Sequence, residues 1–276
     1  MSNFVSIFST LIDSAQDVIK IKTLVLALMV SLVACNNAPS NESQLTIAVA
    51  SNMHSAIEDI AMQFTQKTGI SVQVSSASSG VLTAQIRQGA PFDVFLSANM
   101  AYPKALYQQG FTDGRPKTYA YGSLILWSVG DIDTSAGLAA LTQSNVKNFA
   151  IANPETAPYG IAAIQALEGS GLMSEIKNKM VVGESVGQVN QYVSSGTVQV
   201  GLTSTAVLFS STLGSKGVSH KIDNDLYEPI EQGIVILKMG LNKNPEASKL
   251  FQNFMFSPET GAVLIEYGFS LPRDSL

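Results

Sequence analysis

Leu45-Thr-Ile-Ala-Val-Ala50 is a nearly unbroken apolar run that stops at a hydroxyl and an amide, Ser51 and Asn52. Apolar residues then fall at Met53, Ala56, Ile57, Ile60, Ala61 and Phe64, the i, i+3, i+4, i+7 spacing of one helix face. The pattern predicts a buried strand followed at once by an amphipathic helix, with Ser51 or Asn52 as its N-cap. Free backbone N–H groups of the first turn would lie beside that cap. A helix start of this kind is a ready anion site, because orphan donors and the positive dipole end converge there.

The same alternation recurs down the chain. Gly69 suits a helix C-terminus, and Ile70, Val72 and Val74 alternate as a strand. Ser75-Ser-Ala-Ser-Ser-Gly80 leads into a helical stretch, Val81 to Ile86. Val94-Phe-Leu-Ser97 reads as a short buried strand, and a helix near Tyr102 to Gln109 is closed by Gly110. A polar stretch, Thr112 to Thr118, precedes the long strand Tyr121 to Val129, which is taken as a crossing into a second lobe.

In that lobe Phe149-Ala-Ile-Ala152 is a strand, followed by the turn-rich Asn153-Pro-Glu-Thr-Ala-Pro-Tyr-Gly160. The helix after it carries Ile161, Ile164 and Leu167. Met180 to Gly183 is a strand that turns through Glu184-Ser-Val186 into a helix at Gln188 to Ser194. Val198 to Leu202 is another strand, and Thr203-Ser-Thr205 opens one more helix. Pro229 to Gln232 is the expected return crossing, before the strand Gly233 to Leu237. Asn244-Pro245-Glu246 and Ser257-Pro258-Glu259 each read as a cap, a proline at N1 and an acid in the first turn. Strands alternating with helices predict parallel-rich α/β sheets, and two crossings predict a discontinuous first lobe with a cleft beside the second.

Composition narrows the partners. Hydrophobic residues make up 46% and charged residues 13%, so 276 residues hold substantial cores. A net charge of −5 leaves no basic stripe for nucleic acid. Lys20-Ile-Lys22 precedes an apolar run, Thr23 to Ala34. That run is shorter than the ~20 residues of a membrane span, but it suits the apolar segment of a secretory signal. It ends Leu32-Val-Ala-Cys35, which resembles a bacterial lipobox and would make Cys35, the single cysteine, a lipidated N-terminus. A buried core cysteine is the alternative. With Cys35 used as an anchor, no thiol remains for catalysis or metal binding.

The chemistry on offer favours binding over turnover. Strand, hydroxyl-rich turn and helix recur at Ser51-Asn52, Ser78-Ser79-Gly80, Pro158-Tyr-Gly160, Ser185-Val186 and Thr203-Ser204. In open α/β sheets, ligands sit beyond the carboxyl ends of the strands. Turns facing one cleft would supply neutral donors and almost no charge, which suits a compact, fully ionised oxyanion. Ser174-Glu-Ile-Lys177 and Lys67-Thr-Gly69 match fragments of penicillin-binding chemistry, but in reversed order and at surface-like helix ends. No Walker or dinucleotide fingerprint is present. His54 and His220 have no metal-ligand spacing, and Glu58-Asp59 reads as a solvated helix face.

Ala48-Val-Ala-Ser-Asn52, Ser76-Ala-Ser-Ser-Gly80 with Gln85-Ile86, Gly89-Ala-Pro-Phe-Asp-Val-Phe-Leu-Ser-Ala98, Tyr121-Gly-Ser-Leu-Ile-Leu-Trp127 and Asn153-Pro-Glu-Thr-Ala-Pro-Tyr-Gly160 closely resemble the periplasmic molybdate-binding proteins. The likeness runs from about Leu45 to Gly268. It implies a two-lobed periplasmic binding-protein fold of type II, mixed sheets flanked by helices with two hinge crossings. The expected division is a lipoprotein signal over 1–35, a tether over 36–44, one lobe from 45–120 plus 232–276, and the other from 121–231.

Carried over by position, Ser51, Asn52, Ser79, Tyr159 and Val186 are the expected oxyanion ligands, with Ser78 and Ser204 as further candidates. Tyr159 and Val186 would act through backbone N–H groups. Many members carry a tyrosine near Ser204; a branch without it uses an Asn beside the first hydroxyl, as Asn52 would allow. The resemblance implies a monomeric, membrane-anchored periplasmic receptor that hands molybdate or tungstate to an ABC permease of the inner membrane. No catalytic residue, no cofactor apart from the ligand and no nucleic-acid partner are expected. Alternatives are a receptor for another oxyanion, an exported hydrolase, or a sensor domain.

Overall fold

The computed structural model describes residues 44–210, 213 and 217–272. The signal segment, Cys35 and the tether before Gln44 lie outside the described residues.

The first sheet takes strands β1 (Leu45–Ala50), β2 (Val72–Ala77), β3 (Val94–Ser97), β4 (Thr112–Gly122) and β10 (Ile230–Leu237). The second takes β5 (Leu124–Ser128), β6 (Phe149–Ala152), β7 (Met180–Gly183), β8 (Val200–Ser204) and β9 (Val218–Lys221). Their orders are β2-β1-β3-β10-β4 and β7-β6-β8-β5-β9. In the first, β1 runs parallel to both neighbours while β10 is antiparallel to β3 and β4. In the second, β6 is parallel to β7 and β8, and β5 is antiparallel to β8 and β9. The two mixed sheets repeat one plan, and the carboxyl ends of their parallel strands carry the turns of interest.

Helices follow the parallel strands. α1 (His54–Thr68) buries Ala56, Ile57, Ile60, Ala61 and Phe64, the face the spacing predicts. Gly69 ends it at φ 73°, a left-handed conformation that glycine adopts without a Cβ clash. α2 (Ser79–Arg87), α3 (Ala101–Gln108), α4 (Pro158–Gly169), α5 (Met173–Ile176) and α6 (Val186–Ser194) come next. α7 (Lys238–Lys243), α8 (Pro245–Phe254) and α9 (Pro258–Glu266) close the chain. Phe64, Phe251 and Phe254 stack between α1 and α8, with centroids 5.2 and 5.6 Å apart for the pairs that Phe64 makes. Trp127, Phe149 and Leu202 are fully buried in the core of the second sheet.

Several local expectations are corrected. The polar stretch Thr112 to Thr118 forms most of β4, the edge strand of the first sheet, which pairs with β10 and meets Ser270 through an isolated bridge at Tyr121. An edge strand with a wet face carries no apolar run, so periodicity alone reads it as loop. The predicted strand from Tyr121 therefore belongs to two sheets, with the switch at Gly122-Ser123. A Cβ at Gly122 would overlap the Tyr159 hydroxyl.

α4 buries Ala162, Ala163, Ala166 and Leu167, while Ile161 is 38% exposed. The helix lies so close to the sheet that a Cβ on Gly160 would meet the Ala152 carbonyl carbon at 2.8 Å, so small residues face inward and the larger isoleucine is turned out. Thr205 to Phe209 forms a 3-10 turn where a helix was expected. Ser257 caps α9 through the Thr260 N–H. Asn244 spends its amide on the Gln44 carbonyl and the Asp93 carboxylate instead of capping α8.

Candidate functional site

Strand β1 delivers Ser51 and Asn52 into a 3-10 turn, Ser51–Met53, before α1 starts at His54. The expected cap is absent: neither side chain accepts a hydrogen bond from the helix start. The 3-10 turn provides the transition, and the His54 N–H bonds the Ser51 carbonyl. The Asn52 side chain is 5% exposed and turns inward, donating from Nδ2 to Gln232 Oε1 at 2.9 Å.

The second turn places Ser78 and Ser79 at the start of α2. Ser79 is fully buried, and its Oγ accepts the Ala98 N–H at 3.0 Å. A hydroxyl whose oxygen already accepts still has its own proton to give. Ser78 Oγ is buried without a hydrogen-bond partner.

The other two turns come from the second sheet. In α4, Pro158 has no N–H, and the Gly160 and Ile161 amides both bond the Ala157 carbonyl at 2.9 and 3.2 Å. This leaves the Tyr159 N–H as the first-turn donor without a backbone partner. In α6, Ser185 Oγ accepts the Gln188 N–H at 3.4 Å and the Ser185 carbonyl accepts that of Val189 at 3.0 Å. The amides of Val186 and Gly187, ahead of them in the turn, are not taken by this cap.

Ser51, Asn52, Ser78, Ser79, Tyr159 and Val186 line one cavity, closed by Ala50, Ala98, Ala157 and Pro158. Four of the five turns singled out in the sequence therefore meet. The fifth does not: Ser204 is absent from this lining, and its Oγ accepts the Ala206 N–H at 3.2 Å. The cavity has about 10 Å³ of room, close to what one water needs. Beside it opens a polar basin of about 580 Å³, which shares Ser51 and Asn52 with the cavity and also takes in Ser204, His54, Glu58 and Glu184.

Among the described residues, no Asp, Glu, Lys, Arg or His lines the small cavity. Its single titratable side chain is Tyr159, whose phenol lies over Gly122. Burial holds that phenol well above the usual tyrosine range; Ser204 and Asn52 stand near enough to favour ionisation but are outweighed. No hydrogen bond of good geometry reaches the hydroxyl. The site thus offers neutral donors and fixed backbone dipoles. Two residues beside it carried little signal in the sequence, Gln232 and Tyr119, which bond each other at 3.0 Å behind Asn52. Gln232 is the single amide in β10, a strand whose remaining residues are apolar apart from Glu231 and Gly233, and this is its one signal in the sequence.

The profile of the bacterial extracellular solute-binding proteins matches residues 45–270. The molybdate-binding protein of Azotobacter vinelandii is 38% identical over 251 residues, 90% of this chain and 97% of that protein. That of Rhodobacter capsulatus is 35% identical over 233 residues, 84% of this chain and 90% of its own length. The solved periplasmic molybdate-binding protein of Azotobacter vinelandii superposes with a TM-score of 0.77 at 34% identity, covering 83% of this chain and all of that one.

Proposed function

This chain belongs to the bacterial extracellular solute-binding proteins, in their molybdate-binding branch, and from that premise we propose that it captures molybdate or tungstate between its two sheets and delivers it to an ABC permease. It is a transport receptor and not an enzyme. One observation carries the choice of ligand: four turns from two sheets bring hydroxyls and free helix-start amides onto one cavity that holds no formal charge.

The donors define what fits. A fully ionised tetrahedral dianion accepts at every oxygen, so a ring of N–H and O–H groups satisfies it. Hydrogen phosphate carries a proton that needs an acceptor, and among the described residues no carboxylate lines the cavity to take it. Sulfate has the right charge but shorter bonds, so donors spaced for a larger anion hold it less well. Each hydrogen bond to a charged group contributes about 1.5–3 kcal/mol. A handful of them reaches the roughly −8 to −12 kcal/mol of micromolar to nanomolar binding after desolvation is subtracted.

The cavity is narrower than a tetrahedral oxyanion, so entry requires the two sheets to part and close again around the ligand. The adjoining basin is the entry side. Cys35, as a lipidated residue behind the tether, would keep the receptor at the membrane beside the permease.

Calorimetric titration of the purified protein with molybdate, tungstate, sulfate and phosphate tests this reading. Saturable heat at micromolar molybdate or tungstate, with sulfate at least about tenfold weaker and phosphate silent, is the expected result. Binding of a different anion with no response to molybdate would end the specific assignment.

A further inference from the structure

Asn52 reaches the hinge through Gln232. This glutamine is fully buried on β10, where the chain returns to the first sheet, and a register irregularity follows it at Gly233. Its Oε1 accepts from two donors, Asn52 Nδ2 at 2.9 Å and the Tyr119 hydroxyl at 3.0 Å. Its Nε2 is buried with no partner, and so are Asn52 Oδ1 and the Tyr159 hydroxyl. A Cβ placed on Gly122 would overlap that hydroxyl and lie 3.0 Å from Gln232 Nε2, so both crowd the same space at the outgoing crossing. One amide therefore stands between the first anion turn, both chain crossings and Tyr159, a residue of the cavity lining whose N–H has no backbone partner.

Orphaned polar groups at this depth are costly, and three together in a native core call for an explanation. The two ends of an amide are isosteric, so exchanging them disturbs no packing. With both amides exchanged, Gln232 Nε2 donates to Asn52 Oδ1 and to the Tyr119 oxygen. Gln232 Oε1 then turns toward the Tyr159 phenol, which has a proton to give. Asn52 Nδ2 is released from Gln232. In the first arrangement the Asn52 amide is spent on the hinge, and in the second it is free to donate to an anion.

We propose that Gln232 is a positioning residue that sets which end of the Asn52 amide serves the oxyanion and ties that choice to the two hinge crossings. Because Asn52 and Tyr159 come from turns on different sheets, an anion that selects the second arrangement also favours the closed pairing of those sheets. Ligand and closure then share one hydrogen-bond network, and each biases the other. The inference rests on the proposed oxyanion site and adds a residue that touches no ligand.

The test is a double-mutant cycle read by molybdate titration of the parent, Gln232→Leu, Asn52→Ala and the double variant. Gln232→Leu is expected to weaken molybdate binding about tenfold or more in the parent and less than about twofold in the Asn52→Ala background. Factors that simply multiply, or unchanged affinity in Gln232→Leu, overturn the role. Gln232→Glu supplies a readout that packing alone would not move. A protonated carboxyl can both donate and accept, so affinity is restored at low pH and falls as the carboxyl ionises, while the parent stays flat. A pH-independent affinity in Gln232→Glu also overturns the role, and this variant decides the matter should Gln232→Leu fail to fold. If the parent takes up no molybdate, the reading of the site fails and this inference falls with it. If the parent binds and the cycle multiplies, only the role of Gln232 falls.

Discussion

The Gly80 amide donates to the Thr156 carbonyl at 2.8 Å, a backbone hydrogen bond between the start of α2 and the loop that leads into α4. It joins a turn of the first sheet to a loop of the second. A Cβ on Gly80 would come within 2.8 Å of Thr156 Cα, Thr156 O and the Tyr102 hydroxyl. The glycine is there because the other backbone is too close for anything larger.

Gly80→Ala should therefore separate affinity from stability. Alanine is favoured over glycine within a helix by about 0.5–1 kcal/mol, so the parted form gains slightly. Closure must push Thr156 away, and molybdate affinity should fall about tenfold or more. Thermal melting without ligand and calorimetry with it check the two signs. Equal affinity in the variant would show that this contact is not made in the bound state.

Ser79→Ala removes a hydroxyl whose proton is free and also strands the Ala98 N–H. A lost hydrogen bond to a charged ligand is worth about 1.5–3 kcal/mol, or one to two orders of magnitude in Kd. Ser51→Ala should fall in the same range. Ser204→Ala, whose hydroxyl is engaged by Ala206 outside the cavity lining, should change Kd by less than about threefold. Titration of the three variants ranks them, and a Ser204 effect as large as that of Ser79 would contradict the placement.

The Val186 N–H can be deleted without truncating the chain. Proline suits the first position of a helix, and Ser185 before it is extended, at φ −152° and ψ 170°, as a residue preceding proline prefers. Val186→Pro should keep α6 and weaken molybdate about tenfold or more, while Val186→Ala, which retains the amide, stays near the parent. Circular dichroism confirms the helix and calorimetry reads the donor.

Alkaline pH should unfold the protein through its tyrosines. Burial raises Tyr119 and Tyr159 well above the usual range, and burial with the Asp59 carboxylate beside it lifts Tyr267 to about 12. The unfolded chain releases these protons near pH 10 while the folded chain retains them. The unfolded state then binds fewer protons, so stability is fully present below about pH 10 and falls as pH rises toward the folded values. Denaturant midpoints at about pH 8 and 11 should show the loss, with a smaller slope in Tyr159→Phe.

Much of the layout is legible in the chain. The faces of α1, the strands Val94 to Ser97 and Phe149 to Ala152, and the glycine at the end of α1 follow from periodicity and backbone sterics. Failures have one kind of cause: tertiary placement overrides local pattern. Thr112 to Thr118 reads only as a polar stretch because most of its side chains in this edge strand are exposed and leave no apolar run. Ile161 lies on the outer face of α4, where periodicity alone does not place it, because at Gly160 the helix packs close against the sheet and Ala162, Ala163 and Ala166 face inward.

Residue order alone sets the repeated unit of strand, hydroxyl-bearing turn and helix, because cap chemistry and apolar spacing are local. It determined too that the turns carry neutral donors, since residue type fixes charge. That four of the five turns share a cavity, with Ser204 outside its lining, follows from tertiary packing. Only the structure turned Asn52 from a helix cap into a residue held by Gln232, 180 positions away. Those relations depend on how two sheets close on each other, and no local pattern encodes a distance between them.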